Sequence, residues 1–195
     1  IENREEIGSI RDEISAGLID LAINNPDSLS DEEYLNYAQL LDWAGRDQEA
    51  MKIFNEYRNR DGEDARHALS CLISMKTENG DLSEAEKLIS EYRERFCKDQ
   101  KKRPGMYQKL EGLSGRYNNA GRPEDGARVI MEELNSLECV YPHSSYYLIS
   151  ELMPLMAETG RAQEYLDIAS SLRKDLEGAL EAHVDTMEYC DTLSI

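Results

Sequence analysis

Ala44-Gly45-Arg46-Asp47-Gln48-Glu49-Ala50 returns three times in altered form, as Asn79-Gly80-Asp81-Leu82-Ser83-Glu84-Ala85, Ala120-Gly121-Arg122-Pro123-Glu124-Asp125-Gly126 and Thr159-Gly160-Arg161-Ala162-Gln163-Glu164-Tyr165. Each glycine stands between two helix-length amphipathic stretches and is followed by Arg or Asp. Successive glycines are 35, 41 and 39 residues apart, the length of one helix–turn–helix unit plus a connector. Such a period predicts stacked helical hairpins, each burying an apolar face that it cannot bury alone. The expected product of that architecture is a surface rather than a reaction.

The flanking sequence supports hairpins. Ile7, Ile10, Ile14, Leu18 and Leu21 step by three and four residues, which predicts a helix over 2–24 that Pro26 ends. Ser30 with Glu33 makes a capping box ahead of Tyr34, Tyr37, Ala38 and Leu41. Ala50, Ile53, Phe54 and Tyr57 follow the first turn, and Asp61-Gly62 is read as closing that helix. Leu69, Leu72 and Ile73, then Ala85, Leu88, Ile89 and Tyr92, outline the second hairpin. Lys98 to Gly105 reads as a linker, with Pro123 at a first helical position beyond it and Pro154 expected to kink its helix. A last helix is expected from Ala162 to about Cys190.

Composition agrees with a helical, folded chain: 40% hydrophobic and 32% charged residues, 5 Pro, and no period-two runs of β-branched residues. The net charge of −18 is unevenly spread, at −11 over residues 1–65, +3 over 66–130 and −10 over 131–195. An object acidic at both ends repels phosphate backbones and anionic lipid, so neither nucleic acid nor membrane is expected as a partner. No apolar stretch approaches the roughly 20 residues needed to cross a bilayer. Cys71, Cys97, Cys139 and Cys190 show no metal or disulfide spacing and are read as unpaired thiols, with Cys71 in the core.

The repeats resemble tetratricopeptide-type (TPR-like) repeats. Tyr34, Tyr37-Ala38, Leu41, Gly45, Ala50 and Phe54 carry the resemblance best, and Leu69, Leu72, Gly80 and Ala85 continue it. Gly126 and Tyr165 stand where the pattern has alanine. The resemblance implies an all-α, right-handed α-solenoid of about four helical hairpins, preceded by a helix and ended by a long one. The whole chain, 1–195, is then a single repeat domain: an N-terminal helix at 1–25, hairpins over 30–176, and a capping or docking helix at 177–195. It also implies a concave face, lined by the first helix of each pair, that binds protein or peptide. Leu35, Gln39, Ser70 and Ser74 on that face supply none of the cations with which some members grip an acidic carboxyl terminus. Variable spacing and acidic ends speak against the related repeats that read single-stranded RNA.

No catalytic chemistry stands out. His67, His143 and His183 fall in different hairpins or the tail, no His-Glu-x-x-His occurs, and no phosphate loop or nucleophile elbow is present. The expectation is a non-enzymatic interaction module, without metal or cofactor, holding a peptide or helix of a partner in its groove. Tyrosine is in surplus at 11 residues, and Tyr34, Tyr37, Tyr107 and Tyr146 on first helices are the groove candidates. Lys98, Lys101, Lys102 and Arg103 form a basic contact patch, and Leu176, Leu180, Val184 and Met187 an uncovered docking stripe. The alternative is a helical accessory domain of a larger, exported thioredoxin-like enzyme, serving in docking or dimerisation. It rests on that stripe and on Ile1 standing where a Met would be. A cytoplasmic location is slightly favoured, with export left open.

Overall fold

A computed structural model describes Gly17 and residues 29–97, 104–136 and 142–182. Among these are eight helices and no strand: α1 (Asp31–Trp43), α2 (Asp47–Arg58), α3 (Gly62–Glu78), α4 (Leu82–Phe96), α5 (Pro104–Asn119), α6 (Pro123–Ser136), α7 (Pro142–Glu158) and α8 (Ala162–Ala182). They fall into two compact units, Ile1–Phe96 and Cys97–Ile195. Apart from Gly17, the predicted helix over 2–24 lies outside the described residues, as do the basic residues Lys98, Lys101, Lys102 and Arg103, and Val184 and Met187. Tyr146, Leu176 and Leu180 are on helices, but their side chains lie outside the description too.

Four turns join the helices of the hairpins, and each has the same local chemistry. Gly45, Gly80, Gly121 and Gly160 take φ of 73°, 77°, 70° and 71°, the left-handed region that costs a side chain strain and glycine little. The residue after each glycine donates its N–H back to a carbonyl of the preceding helix. Arg46 reaches Leu41 at 2.8 Å, Asp81 reaches Lys76 at 2.9 Å, Arg122 reaches Tyr117 at 2.9 Å and Arg161 reaches Met156 at 2.7 Å. These bonds satisfy carbonyls that a helix end would otherwise leave without donors. The arginine after the glycine then pairs with an acid three residues on: Arg46 with Glu49, Arg122 with Asp125 and Arg161 with Glu164, each at 2.7 Å. The recurrent Gly-Arg-x-x-acid pattern is this closure written in sequence. At the start of α1 the capping box forms, Ser30 Oγ accepting from the Glu33 N–H while Glu33 accepts from the Ser30 N–H at 2.8 Å.

Within the first unit α1 packs on α2 and α3, and α3 on α2 and α4; within the second α5 packs on α6 and α7, and α7 on α6 and α8. Within each unit, therefore, the first helix of one hairpin touches the first helix of the other. Small residues sit where helices cross, with Ala38, Ala50, Ala65, Ala68, Ala85 and Ala127 fully buried. Phe54, Leu69, Leu72, Ile73 and Leu88 fill the first core, and Leu110, Leu113, Ile130, Leu148 and Leu152 the second. Gly126 departs from alanine for a steric reason. A Cβ there would lie 3.0 Å from the Ser114 carbonyl oxygen and 3.3 Å from Leu155 Cδ2.

Several sequence expectations shift. Gly62, read as closing the second helix, instead opens α3 with φ 84°. Pro104 and Gly105 are the first residues of α5, not the end of a linker, since proline suits a first helical turn. Pro123 opens α6 as expected, and Pro154 lies within α7 with its side chain exposed. Cys71, read as core, is only half-buried, and Cys97 is buried.

Candidate functional site

The second unit carries a cleft of about 450 Å³ lined by Gln108, Glu111, Gly112, Gly115, Arg116 and Asn119 of α5, with Glu151 of α7 opposite. Its walls are thus the two first helices of consecutive hairpins. Gln108, Glu111, Gly115 and Asn119 repeat at three- and four-residue steps, so they form one stripe of α5. The two glycines keep that stripe low: a Cβ at either position would meet no atom within 4 Å. Glu151 is half-buried, and its carboxyl is pushed above the usual range by burial and then by the charge of Glu111. Arg116 is the cation of the lining.

In the first unit the corresponding face lies on α1 and α3. The Gln39 amide nitrogen is 2.9 Å from His67 Nε2 and donates to Cys71 Sγ at 3.4 Å. His67 and Cys71 stand one helical turn apart, so one amide bridges two polarisable groups of the neighbouring helix. Sequence reading placed Gln39 on this face but treated His67 as isolated and Cys71 as core; the four-residue step from His67 to Cys71 was the signal available. Among the described residues no group of three or more metal-ligating side chains occurs. One turn beyond Gln39, Trp43 ends α1 with 62% of its surface exposed. Its neighbour Asp42 is half-buried, and its carboxyl is raised by burial and then by Asp47 and Glu78.

Tyr34 and Tyr37 lie on α1 and Tyr107 on α5. Tyr34 is half-buried and lies 5.9 Å from the ring of Tyr37 and 6.1 Å from that of Tyr57 on α2. Tyr57 in turn donates to Asp31 at 2.6 Å under the guanidinium of Arg60, 3.7 Å from the ring centre. Burial and the Asp31 carboxylate push the Tyr57 hydroxyl up to about 12, while Tyr57 and Arg60 hold Asp31 below the usual carboxylate range. Tyr37 is half-buried with its hydroxyl raised by burial, and Tyr107 is half-buried on α5. None of these rings lines the cleft of the second unit.

Among the described residues no helix is long and apolar enough to cross a membrane. No family model matches the sequence, and no curated protein matches it. Solved structures do resemble the fold, two of them as follows. One is the crystal structure of the nearly identical TPR-like repeats of a candidate kinesin light chain from Podosopora anserina, at 15% identity and a TM-score of 0.58, covering 93% of this chain and 92% of that one. The other is a variant of those repeats, at 15% identity and a TM-score of 0.58, covering 92% of each chain. The fold of this chain is that of TPR-like helical repeats.

Proposed function

We propose that the protein is a non-enzymatic docking scaffold that holds a peptide or helix of a partner protein along the first-helix face of its hairpins. The α5–α7 cleft is the seat in the second unit. The observation that carries this reading is the pair Gly112 and Gly115. Both lie inside α5, where glycine costs about 0.5–1 kcal/mol relative to alanine. Neither is required by crowding, since an added Cβ meets nothing. Their effect is to keep the cleft open, and stability given up inside a helix where a cleft results is the pattern of a binding surface.

The test is peptide-display selection on the full chain, followed by affinity measurement on Gly115→Leu. That variant fills the cleft at a position with free space, so helix content and thermal stability hold or rise. A selected peptide should bind at least tenfold more weakly to it, in line with blocking a site rather than perturbing a rim. Unchanged affinity in a folded Gly115→Leu protein removes the cleft as the seat.

A further inference from the structure

The turn end of the first unit carries a second surface, independent of the cleft. Trp43, the chain's single tryptophan, closes α1 and is exposed, although large aromatic surface is ordinarily withdrawn from water. Asp42 precedes it. Asp47 opens α2 and accepts from the Asn79 amide at 3.4 Å, which ties it to the turn after α3, whose last residue is Glu78. Three carboxylates thus gather where α1 and α3 end. Both helices turn the negative ends of their dipoles to this place, and the last turn of α1 holds no basic residue to offset it. The nearby cations are engaged by other acids: Arg46 holds Glu49 at 2.7 Å, and Lys76 holds Asp81 at 3.1 Å.

We propose that Trp43, flanked by Asp42, Asp47 and Glu78, is a receptor for an arginine- or lysine-bearing segment of a partner protein. The ring face of Trp43 attracts a cation through its quadrupole, tryptophan being the strongest of the aromatic partners. The three carboxylates supply charge complementarity, and a guanidinium can engage two carboxylate oxygens at once. Like charges held together at helix C-termini oppose folding, and a bound cation relieves that repulsion. The occupant is therefore cationic; an acidic or purely apolar segment would leave the carboxylates uncompensated.

Tryptophan emission from the full chain reads this surface directly, because Trp43 is its single source. The probe is an acetylated and amidated Gly-Arg-Gly-Arg-Gly peptide, with Gly-Glu-Gly-Glu-Gly as control. Emission should change saturably with the arginine peptide alone, and the apparent Kd should rise with salt. Asp42→Asn combined with Glu78→Gln should weaken binding about tenfold. Trp43→Leu, followed by calorimetry, should weaken it about two- to fivefold. Gly115→Leu should leave the response as it is, which separates this surface from the cleft. An unresponsive Trp43, an equal response to the glutamate peptide, or full affinity in the carboxylate variant overturns the proposal. So does an emission change that follows protein concentration without peptide and tracks dimer formation, since the surface would then belong to a second copy.

Discussion

Replacing Gly126 by alanine tests the packing argument where sequence pattern and structure pull in opposite directions. Ala50 and Ala85 occupy the equivalent position, five residues after the turn glycine, in the first two hairpins, and both are fully buried. By pattern alone Gly126→Ala restores the repeat and should stabilise α6 by about 0.5–1 kcal/mol through helix propensity. The structure adds an opposing effect. The new methyl would sit 3.0 Å from the Ser114 carbonyl oxygen and 3.3 Å and 3.4 Å from the two Leu155 methyls. Leu155 can turn aside, but Ser114 is buried backbone of α5 and can move only with its helix. Overpacking of that kind costs about 1–3 kcal/mol. The expected net is a loss of about 1 kcal/mol, or a fall of about 2–4 °C in Tm for a chain of this size. Urea unfolding followed by far-ultraviolet circular dichroism measures it, with Gly115→Ala as the control that should gain stability. A Gly126→Ala protein as stable as its parent would show that α5 and α6 are not in the close approach described.

Other perturbations probe separate parts of the molecule. Gly80→Ala forces a side chain to φ 77° and should cost about 1–2 kcal/mol, read by the same urea titration; a neutral result would deny the left-handed turn. Arg95 donates to the Arg58 carbonyl at 2.7 Å and the Arg60 carbonyl at 2.6 Å while holding Glu91 at 2.9 Å. Arg95→Ala therefore leaves carbonyls at the end of α2 without donors and should cost about 1–3 kcal/mol, with hydrogen exchange of α2 rising first. Tyr57 holds its proton more tightly folded than unfolded, so its contribution is complete below pH ~10 and disappears as pH climbs towards about 12. Tyr57→Phe should flatten that alkaline loss, measured as unfolding free energy against pH.

The turns were legible in the sequence because their causes are local. A glycine at positive φ, a returning N–H and an arginine three residues before an acid all fit within seven residues, so Gly45 through Ala50 announces its own geometry. The hairpin cores were legible for a similar reason, since Leu69, Leu72 and Ile73 declare a face by spacing alone. The surfaces were not. The α5–α7 cleft needs Glu151 brought opposite Glu111 across 40 positions of chain, and Gly112 and Gly115 announce themselves only as poor helix formers. Tyrosine abundance pointed to Tyr34 and Tyr37, but spacing alone does not say that Tyr34 will also lie against Tyr57 of the second helix. Gln39 shows the same limit: nothing local says that its amide will lie against His67 and Cys71 of the next helix.

In all four hairpins three residues separate the paired helices, 44–46, 79–81, 120–122 and 159–161, although the distance between successive glycines varies from 35 to 41. Each corner is closed by its own hydrogen bonds, and most of the variation falls in the segments between hairpins. Such a chain can be lengthened or spliced at the joints and retain its angles, while a single residue inserted at a corner would spoil it. Growth by duplication, and engineering by grafting, have the same permitted seams.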